Sequence, residues 1–83
     1  MKLPAYWIEE ETKALIHESM MISEITESLQ SNTEELTHLL SQIKTNLKNR
    51  KEAFRLEDWD TYMELRTKSF DMHGTLDWLI VNL

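Results

Sequence analysis

The sequence predicts an all-α protein: an antiparallel three-helix bundle, or a helical hairpin with a third helix laid against it, open to oligomerisation. Two observations carry this. A single glycine and a single proline in 83 residues leave almost no turn chemistry for β-hairpins. The apolar residues recur at spacings of three and four, the period of a buried helical face, and not at the spacing of two that a strand requires. The length bounds the rest. Eighty-three residues make a single helical domain, 1–83, with one modest core.

The first helix is expected over about 4–30. Pro4 suits a first helical position, and Glu9, Glu10 and Glu11 follow it near the positive end of the helix dipole. On a helical wheel, Trp7, Ile8, Ala14, Leu15, Met21, Ile22, Ile25 and Leu29 share an arc, and Ile16 and Met20 fall outside it as exposed apolar residues. The stretch SNTEE then restarts the chain, with Ser31 or Asn32 as cap and Glu34 or Glu35 completing a capping box.

The second helix is expected over about 33–56. It confines Leu36, Leu39, Leu40, Ile43, Leu47 and Phe54 to one narrow stripe, interrupted by Arg50. Charge sorts by helix: residues 1–31 carry two basic and six acidic side chains, residues 32–56 five and three, and residues 57–83 two and six. The middle segment is therefore the only net basic one. Its Lys44, Lys48, Lys51 and Arg55 line one side, and an up-down-up bundle predicts that they pair with Glu9, Glu10, Glu11 and Glu18 and with Asp58 and Asp60.

The third helix, about 59–82, opens at Asp58 as N-cap with Asp60 in its first turn. It carries two apolar stripes. Tyr62, Leu65, Met72, Leu76, Leu79 and Leu83 form one; Trp59, Met63, Phe70, Trp78 and Val81 form another about 130° away. Gly74 lies in the second stripe as a notch between two aromatics, and the unbroken phase of the first stripe predicts that the helix continues through it. The second stripe, Trp59, Met63, Phe70, Gly74, Trp78 and Val81, is the candidate partner-binding surface, because a soluble monomer rarely exposes so much aromatic area. Arg66, His73 and Asp77 lie between the stripes as a candidate pH-sensitive seam. Up-down-up topology also brings Trp7, Phe54 and Trp59 together at one end.

Catalytic chemistry is not expected. Glu35 and His38 have the spacing of a di-metal helical site, but no second pair accompanies them and His38 points away from the Leu36 face. His17 also reads as a surface residue. With no cysteine and one glycine there is neither a thiolate ligand nor a phosphate loop, so no metal and no cofactor are expected. A net charge of −6 disfavours nucleic acid and anionic membrane as partners. The opening MKLPAYWIEEE has no apolar signal-peptide core, and a cytoplasmic setting is expected.

The leading expectation is a small acidic protein-binding module, a regulator, inhibitor or adaptor that uses the aromatic face of its third helix on another protein or on a second copy of itself. The alternatives are a homo-oligomeric structural assembly and an acidic mimic of nucleic acid that occupies a basic cleft.

Overall fold

A computed structural model describes residues 3–28 and 34–82. Three α-helices make up almost all of them: α1 (Ala5–Ser28), α2 (Glu34–Arg55) and α3 (Trp59–Val81), with no strand among the described residues. The order is up-down-up. Glu11 of α1 meets Tyr62 and Arg66 of α3, and Glu18 meets Ser69, so α1 and α3 run in the same direction. Leu15 of α1 clusters with Leu47 and Ala53 late in α2, and Ile22, further along α1, with Leu36 and Leu40 early in α2, while the tight link after Ala53 turns α3 back along α2, so α2 runs against both. The α2 and α3 helices pack most closely.

The helix ends follow local chemistry. Pro4 stands one residue outside α1 and not at its first helical position; its carbonyl accepts from the N–H groups of Trp7 and Ile8 at 3.1 and 3.2 Å. Glu9, Glu10 and Glu11 consequently fall beyond the first turn. The caps expected at Ser31 or Asn32 lie outside the described residues, as do Leu29 and Leu83. Between α2 and α3 the chain reverses in a tight link. The Asp58 N–H donates to the Ala53 carbonyl at 2.9 Å and the Glu57 N–H to Phe54 at 3.1 Å, with Glu57 in the left-handed region at φ 56°. This is the bonding of a Schellman motif, here without its usual glycine. Asp58 then caps α3, its carboxylate accepting from the Thr61 N–H at 3.3 Å.

The interior holds two apolar clusters. One gathers Ile22, Leu36, Leu39, Leu40, Ile43 and Leu76; the other gathers Leu15, Leu47, Ala53, Trp59 and Tyr62. At the second, Trp7, Phe54 and Trp59 meet at one end, as up-down-up topology requires. Trp7 and Trp59 stand edge to face at 5.8 Å between ring centres, Phe54 and Trp59 at 5.2 Å, and Tyr62 touches all three. Ile16 and Met20 are exposed.

A layer of polar side chains threads between the helices. Arg50, read from sequence as an interruption of the α2 stripe, is only 5% exposed, and Glu11, Asn46 and Ser69 are buried with it. Charged groups at such depth must be paired, since desolvation otherwise costs several kcal/mol. They are paired through two carboxylates of α1. Glu11 Oε1 accepts from the Tyr62 hydroxyl at 3.0 Å and from Arg66 Nε at 2.6 Å. Glu18 accepts from Arg50 Nη2 and, at 3.3 Å, from the Ser69 hydroxyl. Arg50 Nε donates in turn to Asn46 Oδ1 at 2.7 Å, and Asn46 Nδ2 donates to the Leu65 carbonyl at 3.0 Å. The layer links all three helices and fixes the register of α1 against the other two.

Candidate functional site

The predicted six-residue surface of α3 divides. Trp59 is 8% exposed and belongs to the core, where it packs on Trp7 and Phe54, and Met63 is half-buried against the same cluster. The reason is position along the helix. At its N-terminal end, α3 is flanked both by the start of α1 and by the end of α2, so even its second stripe finds cover there. Beyond Arg66 that cover stops. Phe70 is 61% exposed, Trp78 64% and Val81 82%.

Gly74 completes this shorter face. It lies in unbroken helix with no positive φ, and a Cβ built on it meets nothing within 4 Å. The notch is therefore open, and no neighbour among the described residues fills it. One charged group does touch the face: the Arg66 guanidinium lies 5.0 Å from the centre of the Phe70 ring, a cation–π contact that steadies Phe70 without covering it. Asp71 and Asp77 are exposed on either side, and neither has an ion-pair partner among the described residues.

The expected seam of Arg66, His73 and Asp77 does not form. Each turns to a different environment: Arg66 to Glu11, His73 toward Glu18, and Asp77 to solvent. His73 Nε2 lies 3.0 Å from Glu18 Oε1, yet this buried nitrogen makes no hydrogen bond among the described residues. The carboxylate that faces the imidazole thus comes from α1 and not from Asp77, four residues along its own helix. Burial and the adjacent Glu11 carboxylate push the Tyr62 phenol well above its ordinary range.

A second concavity lies between α1 and α2, a groove of about 570 Å³ with Ile22 and Leu47 in its floor, Ser19 and Ser23 on the α1 side and Lys44, Lys48 and Lys51 on the α2 side. The pairing expected for this basic stripe does not occur. Glu9 and Glu10 reach Lys13 on their own helix, Glu11 and Glu18 turn into the polar layer, and Arg55 pairs with Glu52 one turn away. Bonding to Arg55 holds the Glu52 carboxyl below its usual value and raises that of the Arg55 guanidinium. Lys44, Lys48 and Lys51 have no ion-pair partner among the described residues.

Sequence reasoning missed the buried polar layer. The signal was present: Glu11 and Glu18 fall at heptad spacing with Leu15 and Ile22, and Arg50 occupies the heptad position seven residues after Ile43. Glu35, His38 and His17 are exposed, and no group of three His, Cys, Asp or Glu side chains converges among the described residues. No described helix is long and apolar enough to cross a membrane. Compared with protein-family models, curated proteins and solved structures, the chain matches none.

Proposed function

We propose that the protein is a small protein-binding module, a regulator, inhibitor or adaptor in the cytoplasm, that engages its partner through Phe70, Gly74, Trp78 and Val81 on the outer side of α3. One observation carries the reading. The same helix that buries Tyr62, Ser69 and Leu76 turns two large aromatic side chains and a valine outward in its second half, each more than three-fifths exposed. Intramolecular packing gives no reason for them, and aromatic residues in a row on one helix face are the composition of an interface core. Gly74 lets a partner's backbone or side chain approach between the two rings.

The test compares wild type with Phe70→Glu and Trp78→Glu. Partners are captured from native cells, the strongest is purified, and its affinity for each variant is measured beside thermal unfolding. Both variants are expected to keep the melting temperature and helicity of wild type while losing the partner. Loss of helicity, or undiminished affinity, refutes the reading.

A further inference from the structure

The α1–α2 groove and the α3 face are complementary in chemistry and in length. The groove presents an apolar floor, Ile22 and Leu47, beside the ammonium groups of Lys44, Lys48 and Lys51, which have no ion-pair partner among the described residues. The α3 face presents the apolar side chains Phe70, Trp78 and Val81 between the carboxylates of Asp71 and Asp77, which are exposed and have no ion-pair partner among the described residues. From Lys44 to Arg55, and from Phe70 to Val81, each surface covers twelve residues of its helix, about 16 Å end to end at a rise of 1.5 Å per step. Lysine suits the match, because its methylene stem can lie along an aromatic ring while its ammonium reaches a carboxylate or a ring face.

The two surfaces cannot meet within one molecule. Asn46 faces α3, since its amide donates to the Leu65 carbonyl, and Lys48, two residues on, stands about 200° away around α2. The lysine side of the groove therefore opens away from α3. Trp78 in turn lies on the far side of α3 from its buried Ser69, which bonds to α1.

We propose that the α3 face of one copy seats in the α1–α2 groove of a second copy. This rests on the reading of α3 as a binding face and names its occupant. The contact is heterologous, so each dimer still offers one unused groove and one unused face, and association continues past the dimer as concentration rises.

Complementation tests it. The groove variant carries Lys44→Glu, Lys48→Glu and Lys51→Glu; the face variant carries Phe70→Glu and Trp78→Glu. All five positions are exposed, so both variants are expected to keep the helicity and melting temperature of wild type. By light scattering and sedimentation, wild type is expected to grow in mass with concentration beyond a dimer, each variant alone to associate at least about tenfold more weakly, and a mixture of the two to form a 1:1 heterodimer. That heterodimer arises because one variant retains the groove and the other retains the face. A wild type that stays monomeric up to about 1 mM, the weak end of specific association, overturns the proposal. So does a groove variant that self-associates like wild type, the outcome of α3 pairing with α3, or a mixture that stays monomeric. If wild type is monomeric but holds a purified partner that the face variant loses, the self-docking is wrong and the α3 reading stands; if the face variant binds that partner like wild type, the α3 reading itself fails.

Discussion

Arg50 of α2 and Glu18 of α1 form an ion pair inside the three-helix interface, with the arginine side chain 6% and the glutamate side chain 16% exposed. Thirty-two residues apart in sequence, they are joined by the Nη2 donor of the guanidinium, whose Nε is taken up by Asn46. A buried pair of this kind adds little net stability against a well-packed apolar pair, but removing one partner strands a charge.

Arg50→Ala should therefore cost about 3 to 5 kcal/mol, most of it from the uncompensated Glu18 carboxylate. The double replacement Arg50→Met with Glu18→Met should recover most of that loss. Chemical denaturation of wild type, both single variants and the double variant gives the coupling energy directly. A double variant as unstable as Arg50→Ala contradicts the argument.

Tyr62 makes stability depend on alkaline pH. Its folded-state phenol is held well above the ordinary value near 10 by burial and by the Glu11 carboxylate. The raised value favours the folded state fully below pH 10, where the phenol is neutral in both states. Above about pH 10 the unfolded chain ionises first, so that contribution falls as pH rises toward the folded-state value. Tyr62→Phe should lose about 1 to 3 kcal/mol near neutrality, with its hydrogen bond to Glu11, and should show a flatter decline between pH 10 and 11. Denaturant midpoints across that range decide it; parallel declines in the two proteins would count against Tyr62 as the titrating group.

The two tryptophans of the predicted α3 stripe should behave oppositely. Trp59→Ala opens a hole beside Trp7, Phe54 and Tyr62 and should cost about 3 to 5 kcal/mol. Trp78→Ala, at an exposed position, should change stability by no more than about 0.5 kcal/mol. Thermal melts of the two variants are sufficient, and comparable losses would mean that the face is part of the core.

Two backbone positions invert the usual use of glycine. Gly74→Ala should stabilise by about 0.5 to 1 kcal/mol, because the position is mid-helical and a Cβ there meets nothing. Glu57→Gly should stabilise by about 1 kcal/mol by relieving the left-handed conformation at φ 56°. Urea midpoints that fall in either variant would show that the native side chain, or its absence, carries a contact that the fold does not reveal.

The helices, their order and the meeting of Trp7, Phe54 and Trp59 were legible in the sequence, because they follow from local rules: apolar spacing, the Asp58 cap and the short link before it. So was the exposure of Ile16 and Met20, which stand outside the arc of their helix. Two features were not legible. The Lys44, Lys48 and Lys51 stripe was matched to the nearest acids by charge alone, yet Glu11 and Glu18 turn inward, where Tyr62, Arg66, Arg50 and Ser69 offer hydrogen bonds in a desolvated interface. The Arg66, His73 and Asp77 seam was drawn along one helix, and the carboxylate that faces His73 comes from another.

By itself the sequence determined that the chain is helical, which residues could face inward on each helix, and that α3 has more apolar surface than one neighbour can cover. Tertiary structure decided how that surface was divided. Trp59 is buried because the ends of α1 and α2 converge on the start of α3, whereas Phe70, Trp78 and Val81 remain outside because further along the two helices cover only the side of Tyr62, Ser69 and Leu76. Periodicity fixes the angle of a side chain around its own helix; whether anything lies opposite that angle depends on where the other helices begin, end and diverge, and that is set by packing over the whole chain.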